Sequence, residues 1–163
     1  MFRANGFRSA LQKLSGSSDI RVALVSNSKD LNIHNKSKTT SLVGDVKGRK
    51  CIIVDDIVNT GSTMKTAIEA VHNSGAAEVY AWATHGVFNL PQNKAPEMFQ
   101  EIEGLKYMLI SNSVTNNRDL PPKIRTLSIA PLLSEAVARS LHSESIMAML
   151  DVNNSKARHT SSK

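Results

Sequence analysis

Cys51-Ile52-Ile53-Val54-Asp55-Asp56-Ile57-Val58-Asn59-Thr60-Gly61-Ser62-Thr63 is the stretch on which the fold turns. It reads as an apolar, β-branched strand with two acids at its carboxyl end, followed by a turn of small hydroxyl residues that opens a helix. In an open parallel sheet, ligands bind outside the carboxyl ends of the strands, and the N–H groups of a helix N-terminus attract phosphate. Gly61 lets the backbone approach an oxyanion closely, and the hydroxyls of Thr60, Ser62 and Thr63 add donors. Two carboxylates beside such a turn suit the vicinal hydroxyls of a sugar, or hold Mg2+ through water. An isolated Asp-Asp would more often just end a strand, and Ser62 or Thr63 would just cap a helix. The combination of strand, acid pair and Thr-Gly-Ser-Thr turn is what points to a ligand. The Gly-Lys-Ser/Thr pattern of the Walker A loop is missing, as is the dinucleotide fingerprint.

Strand-like and helix-like segments alternate on both sides of this stretch. Phe7, Ala10, Leu11 and Leu14 recur at helical spacing and predict a short helix stopping near Ser15-Gly16. Residues 20–25 are predicted as a strand, 26–41 as a long polar loop, 41–43 as a short strand before a turn at Gly44-Asp45, and 50–54 as a buried strand. Residues 63–73 read as a helix with Met64, Ala67, Ile68 and Val71 on one face and Gly75 as its stop. Further strands are predicted at 78–83, 107–110 and 125–129, with a helix at 95–102 and a loop through 112–122. Pro131 opens a helix carrying Leu132, Leu133, Ala136 and Val137. The β-α-β-α order predicts an α/β fold, a parallel sheet with helices on both faces. Residues 1–150 read as one domain and 151–163 as a disordered tail.

Composition narrows the ligand. The 163 residues are 40% hydrophobic, enough for the core of one domain. No apolar run approaches the roughly 18 residues of a membrane span. Arg3 and Arg8 interrupt any signal-peptide core, and the single Cys51 cannot form an internal disulfide, so an intracellular protein is expected. The net charge of +6 is uneven, since residues 1–50 hold ten basic and three acidic residues. Only 4% of residues are aromatic and no stacking platform is visible, which favours a small anion over nucleic acid. His34, His72 and His142 show no ligand spacing, and His85, after a strand, reads as a structural hydrogen-bonder more readily than as a ligand.

With its flanks, the central stretch resembles the phosphoribosyl-pyrophosphate-binding motif of type I phosphoribosyltransferases. Leu42-Val43-Gly44-Asp45-Val46-Lys47-Gly48-Arg49, Ala83-Thr84-His85-Gly86-Val87-Phe88 and Leu127-Ser128-Ile129-Ala130-Pro131-Leu132-Leu133-Ser134-Glu135-Ala136 narrow the resemblance. They are similar to the C-terminal half of ribose-phosphate pyrophosphokinase, the synthase that moves a diphosphoryl group from ATP to ribose 5-phosphate. Leu141-His142-Ser143-Glu144-Ser145-Ile146 resembles that family's C-terminus, and the likeness is clear over residues 41–150. It implies that Asp55 and Asp56 hold the ribose hydroxyls and that Asn59, Thr60, Gly61, Ser62 and Thr63 wrap the 5-phosphate, with Mg2+ as cofactor. An acid usually stands where this chain has Asn59. Homo-oligomers, or association with a full-length synthase subunit, are expected from the resemblance. No nucleic-acid or membrane partner is expected. Ser161-Ser162-Lys163 is not the peroxisomal address, so the cytoplasm is the expected location.

The chain also departs from the family. There, the strand matching residues 20–25 leads into a catalytic loop that begins with a Lys-Arg-rich run. Here Asn27, Ser28 and Lys29 stand in its place, so Lys29 is the catalytic candidate, with Lys36 and Lys38 as substitutes if the loop folds over the site. No counterpart of the strand that precedes Ala4 in the family is read here, and a sheet lacking that first strand is expected to have one position unfilled. The family's N-terminal domain, with much of its ATP site, has no counterpart either, so the chain alone is expected to bind the sugar phosphate and to catalyse weakly or not at all. Two further readings stay open, a nucleobase phosphoribosyltransferase and a non-catalytic regulatory subunit of the synthase.

Overall fold

The computed structural model describes residues 2–29 and 38–150. In chain order they form α1 (Phe2–Ser15), β1 (Leu24–Lys29), β2 (Lys38–Val43), β3 (Lys50–Val58), α2 (Ser62–Asn73), β4 (Glu78–Gly86), α3 (Ala95–Glu101), β5 (Leu105–Ser111), β6 (Ile124–Leu127), α4 (Ala130–Leu141) and α5 (Met147–Leu150). Two compact units result: Ala23–Ser128, and the segments that flank it on either side.

In the larger unit the strands line up in the order β3-β4-β5-β6, all parallel. One register row runs Ile53, Ala81, Met108, Ile124 across the sheet. Strand periodicity buries Val79, Ala81 and Ala83 of β4 together with Met108 and Ile110 of β5. Helical periodicity brings Met64, Ala67, Ile68 and Val71 of α2 onto one face, as expected. With Phe99 of α3 and Phe88 after β4, most of these residues join one core cluster. Gly75, at φ 87°, ends α2 in the left-handed conformation that Gly adopts without penalty. β3 is an edge strand, and its Ile52 and Ile57 are about half exposed, at 47% and 54%.

Several boundaries differ from the sequence pattern. The strand expected at 20–25 lies four residues later, as β1, and the expected loop contributes two strands. β1 pairs antiparallel with β2, with Val25 beside Leu42 and Lys29 beside Lys38. Val25 and Leu42 pack against the core, which anchors the base of this hairpin. A two-stranded antiparallel ribbon satisfies its backbone across the ladder, and its solvated face accepts polar residues, so the Ser, Asn, Thr and Lys run need not be loop. His34, Lys36 and the tail after Leu150 lie outside the described residues. β3 continues past the expected end at 54 to Val58, so both acids lie within the strand. β6 ends at Leu127, and α4 begins at Ala130 with Ile129 as its N-cap.

In the smaller unit, Gln12 of α1 donates to the carbonyl of Ser18 at 3.2 Å and Ser15 Oγ to that of Leu11 at 2.7 Å, closing the helix end. In α4, Arg139 pairs with Glu135 at 2.8 Å and with Glu144 at 3.4 Å. None of the residues of α4 is buried, and Leu132, Leu133, Val137 and Leu141 of its apolar stripe are exposed.

At the start of β4, Glu78 accepts from the Tyr80 hydroxyl at 2.8 Å and pairs with Lys50 at 3.1 Å. The Tyr80 hydrogen bond, then that of Lys50, lowers the Glu78 pKa below its ordinary value. A carboxylate whose folded pKa is depressed adds stability above its unfolded pKa and loses it as pH falls through the folded one. Glu78→Gln should therefore lose less stability than the parent on acidification below the ordinary Glu pKa of about 4.3. Melting temperatures measured down to about pH 3 check this, and parallel curves for the two proteins would contradict it.

Candidate functional site

The site grows from the junction of β3 and α2. Val58 closes the strand, Asn59 and Thr60 turn the chain, and Gly61 is the N-cap of α2 at φ 75° and ψ −2°. Only glycine adopts that conformation freely. A second constraint comes from packing, because a Cβ at Gly61 would lie 2.7 Å from both Met98 Cε and Phe99 Cζ. The sequence supplied one reason for Gly61, close approach to an oxyanion. The structure adds that α3 is packed directly against the turn, so a larger residue there would strike α3.

At the start of α2, the Lys65 N–H donates to the Gly61 carbonyl at 2.8 Å and begins the helical ladder. The first N–H groups of a helix have no acceptor within it, and the first turn of α2 carries no acid to answer its positive end. Thr60 Oγ1 and Ser62 Oγ lie 3.5 Å apart beside these groups. Backbone and hydroxyl donors thus gather within a few residues, the arrangement that favours a phosphate.

Asp55 is half-buried and Asp56 exposed. Asp55 Oδ1 accepts the Asp56 N–H at 2.9 Å, and Asp56 Oδ1 accepts the Ile57 N–H at 3.0 Å. Successive strand side chains leave on opposite faces, so the two carboxylates flank the end of the edge strand. Such acceptors match sugar hydroxyls, which are donors.

The five turn residues named from sequence, Asn59 to Thr63, thus begin two residues beyond the acid pair, after Ile57 and Val58. Lys29 is on another element, the last residue of β1, in register with Lys38. His85 Nδ1 lies 2.7 Å from Ser113 Oγ. Beside it, buried Ser111 donates to the Thr84 carbonyl at 2.6 Å, where the β4–β5 register shifts. Among the described residues no three His, Cys, Asp or Glu side chains gather to hold a metal ion, and no helix is long and apolar enough to cross a membrane.

Sequence reasoning missed Asn93, Asn116 and Arg118. Asn93 Nδ2 donates to the Asn59 carbonyl and to Asn59 Oδ1, each at 3.2 Å. Asn116 Oδ1 accepts the Phe88 N–H at 2.8 Å, while its Nδ2 donates to the Gly86 carbonyl at 3.0 Å. Arg118 donates to the Asn93 carbonyl at 2.8 Å and pairs with Glu97. The one local signal was Asn93 itself, a helix-capping residue type just before Ala95-Pro96, whose N–H it accepts at 2.9 Å from Ala95. Asn116 and Arg118 also line an open cavity of about 560 Å³ with Asn112, Leu120 and Thr126.

A parallel sheet with an acid pair and a glycine turn at a strand's carboxyl end defines an α/β domain of the type I phosphoribosyltransferase kind. Comparison with known proteins agrees. Residues 12–151 match the phosphoribosyl synthetase-associated domain, and the chain belongs to that family. It is 36% identical over 135 residues to the ribose-phosphate pyrophosphokinase of Vibrio parahaemolyticus, covering 82% of this chain and 41% of that one. It is 40% identical over 118 residues to that of Bradyrhizobium diazoefficiens, covering 71% and 36%. The crystal structure of phosphoribosylpyrophosphate synthetase from Mycobacterium smegmatis superposes with a TM-score of 0.64 at 28% identity, over 83% of this chain and 42% of that one. The chain spans about two-fifths of the length of these relatives.

Gly61→Ala should destabilise the chain by about 1–2 kcal/mol from the left-handed backbone alone. Overlap with Met98 and Phe99 should add to that loss, and more for Gly61→Val. Urea unfolding measures it, and an unchanged midpoint would contradict the packing role.

Proposed function

We propose that this chain is the ribose-phosphate-binding part of a ribose-phosphate diphosphokinase, which converts ATP and ribose 5-phosphate to AMP and 5-phosphoribosyl 1-pyrophosphate for nucleotide biosynthesis. The observation that carries the reading is one contiguous run, in which the acids of β3 meet the donor-rich start of α2. Asp55 and Asp56 accept the ribose hydroxyls, and Asn59 to Thr63 surround the 5-phosphate. Residues 1–150 act as one ribose-phosphate-binding domain. The names of the relatives favour this reading over transfer to a nucleobase.

In the proposed reaction the anomeric hydroxyl of ribose 5-phosphate attacks the β-phosphorus of ATP, the bond from that phosphorus to the α-phosphate oxygen breaks, and AMP leaves. The sugar supplies the nucleophile, so the work of this chain is to position it and to balance charge. Lys29 is the proposed cation for the transferring phosphoryl oxygens. Asp55 and Asp56 would hold Mg2+ through water, and the ion, when bound, neutralises phosphate charge. The ATP side of the reaction falls to a full-length synthase subunit, with which the chain associates in the cytoplasm; a homo-oligomer is the alternative assembly.

Replacing Asp55 and Asp56 together by Asn keeps the oxygen that accepts each backbone N–H and removes both charges. Calorimetric titration with ribose 5-phosphate should give an affinity at least about tenfold weaker than the parent's, equivalent to about 1.4 kcal/mol. The circular dichroism spectrum should be retained. Equal affinities would refute the site.

A further inference from the structure

The side-chain amide of Asn93 joins segments that are distant in sequence. Its Nδ2 faces the carbonyl and Oδ1 of Asn59 at 3.2 Å each and the carbonyl of Val87 at 3.1 Å. Its Oδ1 accepts the Ala95 N–H at 2.9 Å. Only one orientation of the amide meets all four groups, because a flip would set its oxygen against three acceptors and its nitrogen against a donor. Arg118 donates to the Asn93 carbonyl at 2.8 Å and pairs with Glu97, which fixes the backbone from which the amide projects.

Asn59, the residue held by this amide, directly precedes Thr60 and Gly61. We infer that Asn93, backed by Arg118, is a positioning residue for the anion-binding turn. It fixes the path of residues 59–61 and hence the direction of the first N–H groups of α2. The inference deepens the ribose-phosphate reading and rests on it for the identity of the ligand. Asn93 touches no ligand in this account and acts through Asn59. It performs two tasks with different atoms: Oδ1 accepts the N–H of Ala95, the first residue of α3, and Nδ2 holds the turn.

That separation makes the inference testable. Asn93→Asp keeps the acceptor for Ala95 but turns an oxygen toward the Asn59 and Val87 oxygens. Asn59→Asp keeps the side-chain acceptor for the Asn93 amide, whereas Asn59→Leu removes that acceptor and leaves only the backbone carbonyl of the residue. The reporter is hydrogen exchange of the Lys65 N–H, whose acceptor is the Gly61 carbonyl, measured by NMR on the ligand-free full chain. Asn93→Asp and Asn59→Leu should each speed its exchange by about tenfold or more, with the N–H groups in the centre of β4 and the melting temperature near parental values. Asn59→Asp should exchange like the parent. Unchanged exchange in Asn93→Asp, or faster exchange spread through the whole sheet, would overturn the inference.

Titration of the same variants with ribose 5-phosphate separates the two claims. Affinity lowered in Asn93→Asp, together with faster Lys65 exchange, supports both. A parent that does not bind ribose 5-phosphate, with Lys65 exchange still faster in Asn93→Asp, keeps the positioning role and removes the ligand assignment. A parent that binds, with unchanged exchange in Asn93→Asp, removes the positioning role and keeps the ligand.

Discussion

Gly61 is where the requirements of the fold and of the site coincide. Its backbone sits at φ 75°, and Met98 and Phe99 leave no room for a side chain. The chain must therefore leave β3 and enter α2 through one tight turn against α3. The positions of the donor groups follow from that constraint. Gly61 brings no side-chain cap and the first turn of α2 brings no acid, so neither offsets the positive end of the helix dipole.

The charge distribution along the chain takes on a more specific meaning beside this geometry. Residues 51–100 carry five acids and two basic residues, against the strongly basic first fifty. Two of those acids are Asp55 and Asp56, which face sugar hydroxyls in the proposed complex rather than a polyanion. In that proposed complex the attraction for phosphate would come from the backbone of α2, whose partial charge is fixed by the fold. The basic excess of residues 1–50 is shared between α1, the β1–β2 hairpin and the approach to β3, with Lys29 and Lys38 partners at one end of the hairpin.

The central run was legible in the sequence because its logic is local. A β-branched strand, a small-residue turn and an amphipathic helix each announce themselves within a dozen residues, and α2 buries the four residues its spacing selected. The extension of β3 through Asp55 and Asp56 was not legible, since acids are poor strand formers on average. At the carboxyl end of an edge strand, solvent reaches them and the ladder continues. The hairpin was misread as a loop for a related reason, because its pairing partner lies beyond residues 30–37 and its polar composition resembles a loop. Asn93 meets Asn59 across 34 positions and Arg118 meets Asn93 across 25, distances at which no periodicity carries information. Family likeness was clear from residue 41 onward, whereas the family match reaches back to residue 12, into α1.

The central claim is that the start of α2 receives the phosphate of a ribose phosphate. It is tested most directly by NMR of the backbone amides while ribose 5-phosphate, and separately ribose, is added to the protein. The account predicts that ribose 5-phosphate shifts the Gly61, Ser62 and Thr63 amides and that ribose alone leaves them in place. Shifts confined to other parts of the chain, or equal shifts with both sugars, would contradict it.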